Sequence, residues 1–324
     1  MKTFAKLTVS EVMTMIISAS RRTDIPAFYS DWFLNRLKEG YVLVRNPFNY
    51  NQISKVNLNK EIVDFIVFWT KNPGVMIDKL DLLNGYNYYF QFTLNPYDQT
   101  IETNVPKKSD LIETFIRLAN TIGKNKVIWR YDPILVTNQI DAAYHYQYFE
   151  FLAEKLNGYT NKVIISFINL YAKTKRNTKD LTIKLLDDNE KIEIAAKLTG
   201  IANKYGISIE SCSSSLDFSP LGIKPGKCID ESLISDILGE NLAIEKDKNQ
   251  RSLCGCATSI DIGAYNSCAH NCLYCYSNYN HNTVQNNITL HNPSSPLLFG
   301  KVEKNDRIIE RKMVSYRNNQ MTLF

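Results

Sequence analysis

Glycine is scarce in this chain, at thirteen of 324 residues. No stretch has the glycine spacing of a dinucleotide fingerprint or a phosphate-cradling P-loop, which excludes those two kinds of nucleotide site. Long apolar runs are missing as well. Residues 65–69 (Phe-Ile-Val-Phe-Trp) are typical of the longest, far below the ~20 that cross a bilayer, so no membrane partner is expected. A charge of one sign is missing too: 38 basic residues face 33 acidic ones, a formal +5. That mild excess permits contact with nucleic acid without arguing for it. Nor is there an even cysteine set. Seven cysteines do not pair off into a secreted disulfide framework, and their clustering points to metal in a reducing compartment, so a cytoplasmic location is expected. Residues 1–7 hold no sustained apolar region and no small-residue cleavage site, which argues against a signal peptide. Residues 1–14 read as an N-terminal extension, with Met13 or Met15 as alternative starts.

What the chain does have is alternation. At 44% apolar and 22% charged residues its composition is that of an ordinary globular protein. Strand-like runs fall at 15–19, 41–45, 64–69, 88–93, 126–130, 162–168, 207–210 and 259–264, short and continuously apolar as in a buried parallel sheet. Amphipathic segments at 27–38, 107–121, 141–157 and 187–205 lie between them; in the second, Leu111, Ile112, Phe115, Ile116 and Leu118 recur at helical spacing. A further helix is expected near 230–238. The pattern predicts an α/β fold, a whole or partial (β/α) barrel over 15–275. Its cysteine-rich part, 211–275, would complete the barrel, and 276–324 would be an irregular tail. Four expected strands end in Asn46-Pro47, Asn72-Pro73, Asn95-Pro96 and Asp132-Pro133, which reads as a repeated cap-and-first-turn signal for helices. The same ends collect Arg21, Arg22, Arg45, Lys71, Arg130, Lys173, Lys175 and Arg176, a basic mouth where barrel active sites lie. Among these, Arg21, Arg22, Lys71 and Arg130 are candidate catalytic residues. Asp24 and Asp132 follow Arg21-Arg22-Thr23 and Arg130-Tyr131, and are either catalytic or partners in loop-locking Arg–Asp pairs.

The chemistry concentrates at Cys268, Cys272 and Cys275, a C-x3-C-x2-C spacing with Tyr274 before the last cysteine. Closely spaced loop thiolates hold iron–sulfur clusters. Three ligands on a four-iron cube leave one iron open to a substrate or cofactor. A zinc site is the plainer alternative for the C-x2-C pair. The other four cysteines, Cys212, Cys228, Cys254 and Cys256, match the number that closes a second 4Fe–4S cluster or a structural zinc site. Alternatively, Cys212 is a reactive or buried thiol and Cys228 a core residue. His270, inside the cysteine loop, is expected beside the ligands or exposed, and His145 to be structural.

The 268–275 stretch resembles the signature of the radical S-adenosylmethionine (SAM) superfamily, and residues 261–265 before it resemble the strand that leads into such loops. From Ile16 onward the chain also resembles a family described only as a domain of unknown function, with its cysteine cluster near the C-terminus. Ser18-Ala19-Ser20-Arg21-Arg22-Thr23-Asp24-Ile25-Pro26 and Phe68-Trp69-Thr70-Lys71-Asn72-Pro73 carry that likeness. The resemblance implies an enzyme with a 4Fe–4S cluster on Cys268, Cys272 and Cys275, SAM on the open iron, and an electron donor that reduces the cluster. It implies a permuted order, with strand 259–264 beside strand 15–19. The superfamily's Gly-Gly-Glu segment is absent. Ser18, Ser20 and Arg21 would take its place in binding SAM, with Tyr274 beside the cluster, and the basic mouth would suit an anionic substrate. Residues 70–73 and 130–133 are faintly similar to strand ends of the spore photoproduct lyase branch. Gln320, Leu323 and Phe324 resemble the peptide by which bacterial DNA-handling enzymes dock on the sliding clamp, or would plug the chain's own barrel. Nucleic acid is thus a candidate substrate. The rival reading is a non-catalytic iron–sulfur or zinc protein, an electron carrier or structural module.

Overall fold

The computed structural model describes residues 15–240, 242, 244–313 and 315. The expected extension at 1–14 and the clamp-like residues 320–324 lie outside them. The strands are β1 (Ile16–Ala19), β2 (Tyr41–Arg45), β3 (Gln52–Asn57), β4 (Phe65–Thr70), β5 (Tyr88–Thr93), β6 (Val127–Ile134), β7 (Val136–Thr137), β8 (Lys162–Phe167), β9 (Ile183–Lys184), β10 (Ser208–Cys212), β11 (Lys224–Gly226), β12 (Ile260–Asp261) and β13 (Arg307–Glu310). The helices are α1 (Ile25–Phe28), α2 (Ser30–Glu39), α3 (Gly74–Ile77), α4 (Lys108–Ile122), α5 (Ala142–Leu156), α6 (Ala172–Asn177), α7 (Asp188–Lys204), α8 (Glu231–Leu238) and α9 (His281–Thr289).

Eight strands form one sheet in the order β11-β10-β8-β6-β5-β4-β1-β12, with every neighbouring pair parallel. Apolar side chains leave both faces of these strands, so both faces must be covered. On one face the helices do this: Phe33 of α2 meets Phe68 at 5.4 Å, Phe115 of α4 meets Phe92 at 5.0 Å, and Phe149 of α5 stacks on Trp129 at 4.8 Å. The long helices start where the sequence supplies a cap. The Asp141 carboxylate accepts from the Tyr144 amide, and Asp187 forms a reciprocal box with Glu190, which satisfies amides that the first helical turn leaves open.

The other face holds Ile16, Phe65, Val67, Tyr89, Ile128 and Ile164, packed against Cys228, Ile229, Ile234, Cys254 and Cys256. This corrects the expectation that residues 211–275 complete a barrel. Of these residues only the end of β10, β11 and β12 join the sheet, the last two at its opposite edges, and α8 with the cysteine-bearing segments fills the face between. The sheet is open: among the described residues no ladder joins β11 to β12. The expected pairing of the strand before the cysteine loop with the first strand is present, in the register Ile17 to Ile260 and Ser18 to Asp261.

Four further readings need correction. The 41–45 run is a strand, but it lies outside the large sheet: β2 pairs antiparallel with β3, and β13 adds parallel to β3. The tail after 276 is not irregular, since it contributes α9 and β13 and its carbonyls at Ser295 and Leu297 accept from the Trp32 indole. The Asn-Pro repeat does not mark helix starts in general. Asn72 caps the Gly74 amide at the start of α3, whereas Asn46 closes a turn onto Phe48, Asn95 exchanges hydrogen bonds with the Asp132 backbone, and Asp132-Pro133 lies within β6. Residues 27–38 are two helices meeting at Tyr29.

His145 is structural, as expected. It is fully buried, with Nδ1 2.8 Å from the Tyr131 hydroxyl and Nε2 2.9 Å from the Leu135 carbonyl. Burial pushes it down to about 4 from an ordinary 6.5. The unfolded chain therefore binds a proton first as pH falls. The stabilisation is complete above about pH 6.5 and is lost progressively toward pH 4, up to about 3 kcal/mol. We expect urea midpoints to drop between pH 7 and pH 5, and the drop to shrink in His145→Gln.

Candidate active site

Parallel strands send their following loops to one end, and here those loops enclose a cavity of about 1110 Å³. Its wall takes residues from the C-terminal end of every strand of the large sheet: Ser20 after β1, Trp69 and Lys71 around the end of β4, Thr93 from β5, Arg130 and Asp132 from β6, Ser166 from β8, Cys212 from β10, Cys228 beyond β11 and Ile262 after β12. All seven cysteines line it. So do seven arginines and lysines against two aspartates, a basic bias far stronger than that of the whole chain. Of the expected basic mouth, Arg21, Arg22, Arg45, Lys71, Arg130 and Lys173 line this cavity, while Lys175 and Arg176 do not.

The cysteine loop is held from both sides. Asp24 does not pair with an arginine. Its carboxylate accepts from the Lys71 amide at 2.7 Å and the Ala27 amide at 3.0 Å, and meets His270 Nε2 at 2.8 Å. His270 is thus buried within the loop, not exposed. On the other side a short antiparallel bridge joins Glu102 to Cys272, and the Leu273 amide donates to the Ile101 carbonyl at 2.9 Å. The Glu102 side chain is almost fully buried and receives Lys71 Nζ at 2.7 Å, Lys108 Nζ and the Tyr274 hydroxyl. Burial alone would raise this carboxyl, but the two ammonium groups more than reverse it and hold it at about 2. Burial likewise pulls Lys71 down, and Glu102 more than offsets that. Burial pushes the Cys268 and Cys272 thiols up, and at Cys272 it outweighs the opposing pull of Lys71 and Lys108.

The donor set fits a bound cluster. Three thiols face one cavity, and buried polar atoms around them lack any partner: His270 Nδ1, Thr23 Oγ1 and Asn278 Oδ1. Asn278 sits there through its other amide atom, which donates to the Cys268 carbonyl at 2.8 Å.

The family model described as a domain of unknown function, DUF1848, matches residues 16–277. The chain belongs to this family. Its matched span begins with β1 and ends just past Cys275, so the sheet and the cysteine loop are both inside it. No curated protein matches the chain in sequence. Among solved structures, a Bacteroides thetaiotaomicron VPI-5482 protein described as a candidate alpha-L-fucosidase is similar at 10% identity and a TM-score of 0.28, covering 82% of this chain and 91% of that one. A likeness at that level carries no argument about fold or function.

In this DUF1848 chain the first strand's end is organised by a residue that the sequence reading did not single out. Asp261 accepts from the hydroxyls of Ser18 and Ser20, each at 2.6 Å, from the Arg21 amide at 2.8 Å and from the Gly263 amide at 3.0 Å. Ser18 and Ser20 therefore direct their hydroxyls at Asp261, and of the two only Ser20 reaches the cavity wall. Glu102, Lys108 and Asn95, which donates to the Tyr274 hydroxyl at 3.1 Å, were also missed. They sit in polar loops and helix starts without any telling spacing.

The second cysteine set also comes together. Cys212 Sγ and Cys228 Sγ are 3.6 Å apart, the Cys228 amide donates to Cys256 Sγ at 3.2 Å, and Cys254 adjoins Cys256. Arg130 Nη1 lies 3.0 Å from Cys228 Sγ and also pairs with Asp132, so the expected Arg–Asp lock exists at this position. Hydrogen bonds from Cys212 and Cys256, with Arg130 and Arg21 nearby, hold the Cys228 thiol well below its ordinary value. Among the described residues, no three cysteine, histidine or acidic side chains already converge as a single-ion site.

Glu102 yields a direct test. Replacing it by Gln leaves Lys71 and Lys108 buried without their counter-charge, a change that costs about 3 kcal/mol or more. Glu102→Gln is expected to lower the urea midpoint accordingly at pH 7, whereas Lys79→Gln, at an exposed ion pair, should change it by less than about 1 kcal/mol.

Proposed function

We propose that this chain is a radical-SAM-type enzyme. The observation that carries the reading is the meeting of the C-x3-C-x2-C loop with the C-terminal ends of eight parallel strands in one basic cavity. At about 1110 Å³ that cavity exceeds the ~300–1,000 Å³ of ordinary small-molecule sites, leaving room for SAM and part of a substrate beside a cluster. A non-catalytic carrier would have no use for such a space. The sheet is read as a partial barrel in permuted order, since the strand entering the cluster loop stands beside the chain's first strand. The setting is read as cytoplasmic, with a separate electron donor.

Cys268, Cys272 and Cys275 would hold the cluster. When bound and reduced, it supplies the electron that cleaves SAM to methionine and a 5′-deoxyadenosyl radical, as in the superfamily that the motif resembles. The chain's own residues bind and orient. Asp24 and Glu102 clamp the loop from opposite sides through His270, Lys71 and Tyr274. Arg21 and Arg22, both near the Asp261 carboxylate, present positive charge at the end of β1, where the carboxylate of SAM is expected. Ser18 and Ser20 act indirectly by fixing Asp261. Arg130 and Asp132, deeper in the wall, face the second cysteine set.

Cys212, Cys228, Cys254 and Cys256 would bind a second metal group. A zinc tetrahedron with Zn–S near 2.3 Å has edges of about 3.8 Å, close to the 3.6 Å between Cys212 and Cys228. Ligands of a cube sit on separate irons and stand further apart, so the two groups differ in the spacing they need. Arg130 and Arg21 would then offset the charge of the thiolates. After anaerobic reconstitution, about eight irons per chain are expected if both sites hold cubes, and about four irons and one zinc if the second site holds a single ion. Cys254→Ala should remove the second metal and leave the first cluster.

The catalytic reading is tested by incubating reconstituted protein with SAM and dithionite. Formation of 5′-deoxyadenosine, lost in Cys268→Ala, Cys272→Ala and Cys275→Ala, is the expected result. Full cleavage by the triple variant would overturn it.

A further inference from the structure

The cavity is ringed by outward-facing aromatic side chains. Phe48 is 94% exposed, Tyr50 68%, Tyr276 49% and Tyr171 45%, and all four line the mouth. They come from separate parts of the chain: the β2–β3 turn, the segment between β8 and α6, and the end of the cluster loop. Exposed aromatic area of this kind does not stabilise the fold, and its concentration on one face marks a binding surface. The β2–β3 turn that carries Phe48 and Tyr50 is fixed by its own polar contacts. The Asn46 side chain accepts from the Phe48 and Asn49 amides at 2.9 and 3.2 Å, and Arg45 donates to the Tyr50 carbonyl at 2.6 Å and pairs with Asp306 in a two-bond fork at 2.6 and 2.7 Å.

Cations are interleaved with these rings. The Arg45 guanidinium lies 4.4 Å from the Tyr50 ring, Arg22 and Lys173 each lie 5.2 Å from the Tyr265 ring, and Arg251 donates to the Tyr171 hydroxyl at 2.9 Å. No ion pair engages Lys173 or Arg251 among the described residues. Rings that accept flat faces, alternating with cations that accept phosphates, match the chemistry of an unpaired polynucleotide strand. A duplex hides its base faces in its own stack.

We infer that this rim binds a single-stranded nucleic acid and presents one of its nucleotides to the cavity. The inference names the substrate class for the site and so rests on reading that cavity as the active site. Its test needs neither SAM nor reduction. The intact protein is titrated against a fluorescent single strand of about 12 nucleotides and anisotropy is read. Affinity is expected to fall about sevenfold between about 50 mM and about 200 mM salt if Lys173 and Arg251 neutralise two phosphates. The double variant Phe48→Ala with Tyr50→Ala, at exposed positions that leave the fold intact, should bind at least about fivefold more weakly at fixed salt. Lys173→Gln should flatten the salt dependence. Absence of binding would overturn the inference. So would competition by a mononucleotide or a duplex as effective as by the strand, or equal affinity of the aromatic variant. Because SAM cleavage is measured separately, failure here leaves the radical reading standing, and failure there leaves strand binding standing.

Discussion

The Asp261 carboxylate is the constraint on which the geometry of the site depends. β12 is two residues long, too short to hold an edge position by its ladder alone. Its last residue instead gathers four donors from the ends of β1 and its own loop. Hydrogen bonds to a carboxylate are stronger than those between neutral groups, and these are largely shielded from water. They fix where the chain leaves the sheet seven residues before Cys268. The approach is so close that a side chain at position 263 is not tolerated: a Cβ on Gly263 would lie 2.1 Å from the Ser20 hydroxyl. Chain segments more than 240 residues apart in sequence are thereby joined at one point.

Around that point the protein spends buried charge in a consistent way. Glu102 is encircled by two lysines and a tyrosine, Asp24 by two amides and a histidine, and Arg130 faces Asp132 and Cys228. Each buried charge has a counter-charge or several dipoles, as burial demands. The apolar core of Phe33, Phe68, Phe115 and Trp129 reaches the loop as well, taking in Cys272 with Tyr274 packed against it. The polar networks add fixed contacts on both sides of the cysteine loop beside the cavity.

Much of the scaffold was legible in the sequence. The continuous apolar runs of β4, β5, β6 and β8 can only be buried on both faces, and the amphipathic segments 141–157 and 187–205 match α5 and α7. The cysteine spacing marked the loop, and the pairing of β12 with β1 followed from placing that loop at the sheet's end. What was not legible depends on contacts remote in sequence. The Tyr-Val-Leu-Val run of β2 does not say which sheet it joins, and the polar tail that supplies α9 and β13 finds its order only by packing on Trp32 and Arg45. Asn-Pro pairs carry several turn geometries, so their recurrence did not imply one role. Glu102 and Asp261 are single carboxylates with no pattern around them; only the fold reveals what they hold.

The account turns on one claim, that Cys268, Cys272 and Cys275 leave an open coordination site for SAM. The most direct measurement is electron–nuclear double resonance on the anaerobically reduced protein with SAM isotopically labelled at its amino nitrogen. A coupling between the cluster spin and that nitrogen, present in Cys254→Ala and lost in Cys272→Ala, is the predicted result. A cluster signal identical with and without SAM would contradict the claim and leave a closed, non-catalytic centre.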